Sequence, residues 1–195
     1  MAKRPMELTS EARHPLHPPT KEEIEMAGAL LKKMLNDRVI FSSLALVEPP
    51  KLQVVEFDTN GQKPHNHVAR MVRVQGYDTA KNQSFAATVD VSRDVVTDVS
   101  YISDGQAPLN FADVVRVITT CKTDESWQNA MRARGVEDFT HVQIDPWPTG
   151  GYLHPKVPEG HRAMRAISFV REDKFDNGYA RPVQGLIAHV DLTDE

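Results

Sequence analysis

The chain has 195 residues, and its 23 Lys and Arg residues against 27 Asp and Glu residues give a formal net charge of −4. With 40% hydrophobic and 26% charged residues, the composition is that of an ordinary globular protein and excludes a fibrous or wholly disordered chain. The acidic balance argues against nucleic acid as the main partner, because phosphate neutralisation needs a basic surface. No stretch approaches the ~20 apolar residues of a membrane-spanning helix.

The N-terminal residues and the single cysteine bear on the cellular compartment. Residues 1–13 are polar and are predicted to form a flexible tail, and they lack the apolar stretch of a secretory signal peptide. We therefore expect an intracellular protein, cytoplasmic or peroxisomal. Cys121 is the one cysteine of the chain, which excludes an intrachain disulfide. No Cys-His grouping surrounds it, so we expect it to serve helix packing rather than nucleophilic catalysis.

The first half of the chain is predicted to be one helix followed by an antiparallel sheet. Thr20 and Glu23 have the spacing of a capping box, which opens a helix that is expected to end near Asn36-Asp37. Alternating apolar residues and turn-rich gaps predict strands at 39–47, 52–57, 68–74, 85–91 and 95–102.

The second half repeats this order of elements. Asn110 and Thr123 are predicted to cap two successive helices, the second of which ends at Arg134-Gly135. Strands are expected at 139–144, 163–170 and 186–192, with a Gly- and Pro-rich connection at 146–158.

Two segments of the halves resemble each other closely. Residues 85–94 and 186–195 carry apolar residues in the same alternating phase, which predicts two copies of one α+β unit. Asp90 and Asp191 follow valine at equivalent places, so we expect a shared structural role, such as a hydrogen bond that closes a turn. In the first copy the strand returns as a hairpin, whereas the second copy reaches Glu195 where that turn is expected. The pattern predicts a chain cut from a longer polypeptide or completed by another one; an edge strand that ends naturally is the alternative.

The polar motifs offer little chemistry by themselves. His65-Asn66-His67 is the one His-x-His and would bring two imidazoles to one face of a strand, but no third metal ligand lies nearby, so a solvated strand entrance is favoured. Trp147 and Tyr179 lie in Pro- and Gly-rich contexts that predict irregular backbone, where an aromatic ring either fills a domain seam or lines a pocket. The spacing favours the seam.

Seven short segments, taken in chain order, form a pattern that is more specific than any one of them. They are His14-Pro15-Leu16, residues 20–24, residues 48–51, residues 89–91, Asp145-Pro146-Trp147, residues 179–185 and residues 190–192. Together they resemble the N-terminal portion of copper-containing primary-amine oxidases over about residues 14–195. The resemblance implies two tandem cystatin-like α+β domains, each a helix on a short antiparallel sheet. We expect them at 14–104 and 105–195, the second truncated at its C-terminus.

The resemblance also implies an activity for the complete enzyme. Copper-containing amine oxidases convert a primary amine, oxygen and water to an aldehyde, ammonia and hydrogen peroxide with a topaquinone made from a tyrosine. That tyrosine follows an asparagine in the family, whereas the four tyrosines of this chain follow Gly or Ser. The copper-binding His-x-His of the family lies after that tyrosine, so His65-Asn66-His67 is out of place. We expect no catalytic, cofactor-binding or metal-binding residue in this chain, which alone is predicted to be inactive, with the catalytic domain beyond residue 195.

A role in the substrate channel is also implied by the family resemblance. The second of these domains forms part of the channel wall, and motif matching predicts Trp147, Tyr179 and Phe111 as wall residues. An aromatic wall would favour an apolar or aromatic amine. Arg165 and Arg181 are instead expected to tie strands to neighbouring carboxylates. The expected partners are the remaining catalytic domain, a second copy in a homodimer and the amine; no nucleic acid or membrane is expected.

Two other functions are compatible with the sequence. One is a stand-alone, non-catalytic binding module derived from these domains, which would use the aromatic loops for a ligand or protein. The other is a small metal enzyme built on His65 and His67. Protease inhibition of the cystatin kind is not expected, because the Gln-x-Val-x-Gly loop of those inhibitors is absent.

Overall fold

The structure is a computed structural model that describes residues 13–60, 68–150, 152 and 154–193. The described elements are, in chain order, α1 (Lys21–Met34), β1 (Val39–Val47), α2 (Lys51–Asn60), β2 (Met71–Asp78), β3 (Gln83–Asp90), β4 (Val95–Ile102), α3 (Phe111–Thr123), α4 (Glu125–Arg132), β5 (Val142–Pro148), β6 (Ala163–Val170) and β7 (Pro182–Asp191). The strands form one sheet in the order β1-β2-β3-β4 and another in the order β5-β6-β7. The predicted α+β class is confirmed. The predicted strand entrance at His65-Asn66-His67 lies outside the described residues.

Contacts within the chain divide it into two compact units. Unit 1 comprises Met1–Asp37, Leu44–Val74 and Ala86–Ser100, and unit 2 comprises Arg38–Ser43, Gln75–Phe85 and Tyr101–Glu195. The domain limits expected from the sequence, 14–104 and 105–195, stay a prediction. Within the described ranges, no helix is long and apolar enough to cross a membrane.

In unit 1, helix α1 begins at the predicted capping box. The N–H of Glu23 donates to Oγ1 of Thr20 at 3.1 Å, and the N–H of Thr20 donates to Oε2 of Glu23 at 2.9 Å. Arg70 then links this helix start to the N-terminal segment, because its Nε donates to Oε1 of Glu23 at 2.6 Å and its Nη2 donates to the carbonyl of His17 at 3.1 Å. The hydrogen bond from Arg70 holds the pKa of Glu23 below its usual range.

In unit 2, helices α3 and α4 cover one face of the sheet β5-β6-β7. Helix α3 begins at the predicted cap, where the N–H of Asp113 donates to Oδ1 of Asn110 at 2.9 Å and the N–H of Asn110 donates to Oδ2 of Asp113 at 3.1 Å. The hydrophobic core beneath the helices consists of Val117, Cys121, Trp127, Met131, Val142, Ile144, Met164, Ala166, Val190 and Leu192.

The predicted strand at 52–57 is wrong, because these residues belong to helix α2. The carbonyl of Pro50 accepts the N–H of Gln53 at 2.9 Å, and a proline suits the first turn of a helix, where its missing N–H has no intrahelical partner to lose. No residue of α2 is buried. The apolar residues that suggested a strand therefore do not mark a core-facing side of this element.

The predicted cap at Thr123 is also wrong. Thr123 is the last residue of α3, and its hydroxyl donates back to the carbonyl of Thr119 at 2.9 Å. Asp124 caps α4 instead, since its Oδ1 accepts the N–H of Trp127 at 2.7 Å. A carboxylate satisfies the free N–H groups of a helix start and also complements the positive end of the helix dipole.

Strand β5 differs from its prediction in both position and extent. It covers Val142–Pro148 rather than 139–144, so Asp145-Pro146-Trp147, predicted to be irregular, is part of a strand. Among the described strands β5 pairs with β6 alone, and proline is tolerated on an edge strand because its lack of an N–H costs no ladder hydrogen bond on the open side. The strands predicted at 39–47, 95–102 and 163–170 are confirmed, whereas β2, β3 and β7 are present with shifted ends.

The equivalent aspartates of the repeat have the structural role that the sequence predicts. Oδ1 of Asp90 accepts the N–H of Ser92 at 3.0 Å, and Oδ1 of Asp191 accepts the N–H of Thr193 at 2.9 Å. Each carboxylate therefore closes the turn at the end of its own strand, as Asp side chains commonly do in turns. The expected turn-closing hydrogen bond is confirmed at both positions.

Cys121 lies in the core of unit 2, which confirms the predicted packing role. Burial raises the pKa of its thiol to about 11 from the usual 9.0, which lowers the thiolate fraction at pH 8 by about 100-fold. We expect Cys121 of the native protein to react at least tenfold more slowly with a disulfide reagent at pH 8 than the same thiol in guanidinium chloride. Stopped-flow absorbance measures both rates. Equal rates in the two solutions would contradict the buried position.

Candidate functional site

The sheet of unit 2 has an outer face, defined as the side opposite helices α3 and α4. Residues that alternate with the core positions along each strand project to this side. On β5 and β6 they include Asp145, Trp147, Arg165, Ile167 and Phe169, and on β7 they include Ile187 and His189. The outer face is thus a mixture of aromatic, aliphatic and charged side chains.

Trp147 lies at one end of the outer face. The side chain is 52% exposed, and its Nε1 donates to Oδ2 of Asp145 at 2.6 Å, which fixes the orientation of the indole. Across the ladder it stands opposite Arg165. An exposed ring that is held by a carboxylate offers a preformed apolar contact surface, which costs little conformational entropy when a ligand or a second surface covers it.

Tyr179 lies beside the same face, towards its other end. It precedes β7, is 56% exposed, and its ring centroid is 5.3 Å from that of Phe169. Phe169 is four residues along β6 from Arg165, which corresponds to about 13 Å at ~3.3 Å per residue. The structure therefore places Trp147 and Tyr179 on one face, at separate ends of it.

Phe111 is not brought together with these two side chains. It is the first residue of α3, which covers the opposite face of the sheet, and it is 82% exposed. Its assignment to a channel wall stays a prediction, as do those of Trp147 and Tyr179.

Sequence reasoning missed a polar group beside Trp147. His189 lies opposite Arg165 across the ladder, and its ring centroid is 5.0 Å from that of His154 and 6.3 Å from that of Tyr152. Burial, followed by the neighbouring His154 and Arg165, holds the pKa of His189 below its usual range. The alternation of apolar and polar residues along β6 and β7 was the sequence signal that could have placed Arg165 and His189 on one face.

The predicted contact with neighbouring carboxylates is confirmed for Arg181 and wrong for Arg165. Arg181 pairs with Asp176 and, at 3.1 Å, with Glu172. Arg165 has no carboxylate partner among the described residues; its Nη2 donates to the carbonyl of Pro148 at 3.3 Å. Asp145, an acid on the same face, is contacted by the indole N–H of Trp147 instead.

A cavity of about 520 Å³ lies elsewhere in unit 2. Its lining includes Tyr77, Lys81, Asn82, Asp104, Gln106 and His161, but neither Trp147 nor Tyr179. Several of its polar groups are already engaged: Nε2 of Gln106 donates to the carbonyl of His161 at 2.6 Å, and Nδ1 of His161 contacts Oδ2 of Asp191 at 2.7 Å. Trp147 and Tyr179 therefore belong to an open face rather than to this cavity.

The described side chains do not fit a copper site. Within ranges 13–60, 68–150, 152 and 154–193, no three His, Cys, Asp or Glu side chains are grouped so that they could hold a metal ion. His65 and His67 lie outside these ranges.

The fold and the outer face define a pair of small α+β domains with an exposed aromatic surface. Comparison with domain families identifies both: residues 20–99 match the AGAO-like N2 domain, and residues 106–195 match the N3 domain of copper amine oxidase. The chain thus belongs to the copper amine oxidase family and corresponds to the N-terminal region of these proteins.

Sequence relatives support the same family assignment. The chain is 28% identical over 186 residues to the histamine oxidase of Arthrobacter globiformis, which covers 93% of this chain and 26% of that protein. It is 30% identical over 182 residues to the primary amine oxidase of Arthrobacter sp. strain P1, covering 92% and 26%. It is 27% identical over 214 residues to N-methylputrescine oxidase 1, peroxisomal, of Nicotiana tabacum, covering 92% and 27%. The chain therefore spans about a quarter of the length of the curated relatives that it matches.

A solved structure shares the fold. The copper-containing benzylamine oxidase from Hansenula polymorpha aligns with a TM-score of 0.69 at 21% identity, over 87% of this chain and 27% of that one. At this identity the likeness bears on the fold alone.

Proposed function

We propose that the chain forms the N-terminal accessory domains of a copper- and topaquinone-dependent amine oxidase, whose catalytic domain belongs to the remainder of the polypeptide. The complete enzyme would convert a primary amine, oxygen and water to an aldehyde, ammonia and hydrogen peroxide. The observation that carries the proposal is the succession of two different domain families of this class, at residues 20–99 and 106–195, in one chain. The chain alone would be inactive.

Within this enzyme, unit 2 would line part of the channel that leads the amine to the quinone. The support is the exposure of Trp147 and Tyr179 on one sheet face, with the indole of Trp147 fixed by Asp145. Aromatic rings bind apolar groups by contact area and attract an ammonium group through their faces. Phe111 would reach the channel from a different side, because it lies on the helix layer.

The setting of the complete enzyme is part of the same proposal. We propose a homodimer inside the cell, in the cytoplasm or the peroxisome; a relative from Nicotiana tabacum carries the word peroxisomal in its name.

A stand-alone binding module remains the second candidate. The observation that favours it is the exposed aromatic surface itself, which suits a protein partner as well as a channel. Measuring the intact mass of the native protein and staining it for quinone redox cycling separates the two. A polypeptide much longer than 21.9 kDa that stains for quinone supports the oxidase. A product of 21.9 kDa without quinone or partner chain favours the module.

Trp147→Ala in the complete enzyme is expected to lower kcat/KM for a bulky aromatic amine about tenfold more than for methylamine. The substitution removes channel wall area without touching the chemical centre, and about 1.4 kcal/mol of lost contact corresponds to tenfold. Steady-state peroxide production measures both substrates. Phe175→Ala is the matched control, because Phe175 is an 86% exposed aromatic residue of the connection between β6 and β7 and not of a strand that forms the outer face. Equal losses for both amines would contradict a channel role.

A further inference from the structure

One asparagine in the connection between β6 and β7 is placed for a reaction with its own backbone. Asn177 is exposed and is followed by Gly178. The peptide nitrogen that follows an asparagine can attack the carboxamide carbon of the side chain, and asparagine is a thermolabile residue. Glycine as the next residue presents no Cβ to obstruct this attack. The other Asn-Gly pair of the chain, at 60 and 61, extends beyond the described residues.

The carboxamide of Asn177 is folded back over the peptide that follows it. Its Oδ1 accepts the N–H of Tyr179 at 3.0 Å, which is an Asx-turn. The ring that this hydrogen bond closes contains both the carboxamide carbon of Asn177 and the peptide nitrogen of Gly178. Among the described residues, the N–H of Gly178 has no hydrogen-bond partner. The attacking nitrogen is therefore unoccupied and is held in the same turn as its target.

The hydrogen bond from Tyr179 also activates the carboxamide. Attack by nitrogen on the carbonyl carbon places negative charge on Oδ1, and an N–H directed at that oxygen stabilises the charge, as in an oxyanion hole. Within the described part of the chain, Nδ2 of Asn177 has no hydrogen-bond partner that would retain the leaving group. Because the side chain is exposed, ammonia can leave and water can enter.

Two other asparagines show how the fold can oppose the same reaction. Nδ2 of Asn82 donates to the carbonyl of Gly160 at 3.3 Å, which retains the leaving group, and the next residue is Gln83. Asn110 is buried at the start of α3 and is followed by Phe111. In both cases the attacking nitrogen belongs to a residue with a side chain, which hinders its approach. Asn177 has neither form of protection.

We propose that Asn177 is a deamidation site of the folded protein. The peptide nitrogen of Gly178 bonds to Cγ of Asn177, the bond from Cγ to Nδ2 breaks, and ammonia leaves with the proton of the peptide N–H. Water then opens the cyclic imide at either carbonyl and yields aspartate or isoaspartate, so the reaction needs no oxidant or cofactor. Isoaspartate lengthens the backbone just before Tyr179, whose ring packs on Phe169.

The test incubates the native, complete polypeptide in a mildly alkaline buffer and measures the modified fraction at position 177 by peptide mapping with mass spectrometry. We expect both isoaspartate and aspartate, at a rate no more than about tenfold below that of the same polypeptide in guanidinium chloride, since the turn already holds the reacting groups together. A larger reduction by the fold would overturn the proposal. Aspartate without isoaspartate would also overturn it, because direct hydrolysis forms no cyclic imide.

Gly178→Ala is the variant that hinders the reaction while leaving the fold in place. The added Cβ would meet Cγ of Gln143 at 3.5 Å, an ordinary van der Waals distance. We expect it to slow the modification of Asn177 about tenfold, because the attacking nitrogen now belongs to a residue with a side chain. Tyr179→Phe is the matched control, since it keeps the backbone N–H and should leave the rate unchanged.

Two results with these variants would contradict the proposed route. One is a Gly178→Ala protein that is modified as fast as the parent, and the other is a Tyr179→Phe protein that is slowed as much as Gly178→Ala. The peptide map is read on the polypeptide whatever its length or activity, so the outcome does not depend on the proposed oxidase function.

Discussion

Asp113→Ala is expected to lower the free energy of unfolding by about 3–5 kcal/mol, because it leaves a buried guanidinium without its counter-charge. Arg162 is 1% exposed and Asp113 is 5% exposed, and Nη2 of the arginine lies 2.5 Å from Oδ2 of the carboxylate. Nε of Arg162 also donates to Oδ1 of Asp113 at 3.3 Å, and Nη1 and Nη2 donate to the carbonyls of Ala107 and Pro108 at 2.9 and 3.1 Å. These carbonyls cannot neutralise a charge. Equilibrium urea unfolding, followed by far-UV circular dichroism, measures the loss.

Two comparisons test this explanation. Glu25→Ala removes an exposed acid that lies 3.7 Å from Lys21, and should change stability by less than about 0.5 kcal/mol. The double variant Asp113→Leu with Arg162→Met should recover the part of the loss that comes from the unpaired charge, since neither buried charge remains, but not the ~1 kcal/mol of the helix cap that Asp113 also completes. A loss for Asp113→Ala no larger than for Glu25→Ala would show that the ion pair does not stabilise unit 2.

Gly76→Ala is expected to cost about 3 kcal/mol, near the upper end for overpacking of a filled interior. Gly76 lies in β2, and a Cβ added there would clash with the carbonyl oxygen of Ile40 and lie 2.7 Å from Cζ of Phe85. The carbonyl belongs to the neighbouring strand β1, so relief requires a backbone shift rather than a rotation of a side chain. The melting temperature and the urea midpoint should both fall.

Gly178→Ala is the control for this effect. A Cβ at Gly178 would meet Cγ of Gln143 at 3.5 Å, an ordinary van der Waals distance, so stability should change by less than about 0.5 kcal/mol. Similar losses for the two alanine variants would mean that the close approach at Gly76 is not the cause.

Much of the fold could be predicted where the signal is local. The capping residues Thr20 and Asn110 satisfy N–H groups within one turn, so their identity and spacing are enough. The same holds for strands β1, β4 and β6, whose alternation is clear. Helix α2 could not be predicted, because no core face gives its apolar residues a helical period. Strand β5 contains two prolines, and only its place at a sheet edge makes them acceptable.

The site could be predicted only in part. Motif resemblance singled out Trp147 and Tyr179, and the structure places both at one sheet face. The contact that Arg165 makes with the carbonyl of Pro148 was not predictable, because it depends on how the ladder places β5 beside β6. The ion pair between Arg162 and Asp113 joins positions 49 residues apart, and no local sequence pattern predicts it. Long-range hydrogen bonds of this kind are set by tertiary packing and cannot be predicted from the periodicity of apolar residues.

The prolines of β5 determine at which edge the sheet β5-β6-β7 can accept a further strand. Pro146 and Pro148 remove two backbone donors from the side of β5 that faces away from β6, so a strand from another molecule that added there would find few hydrogen bonds. Intermolecular β-addition, whether in productive assembly or in aggregation, is thereby directed to the opposite border of the sheet.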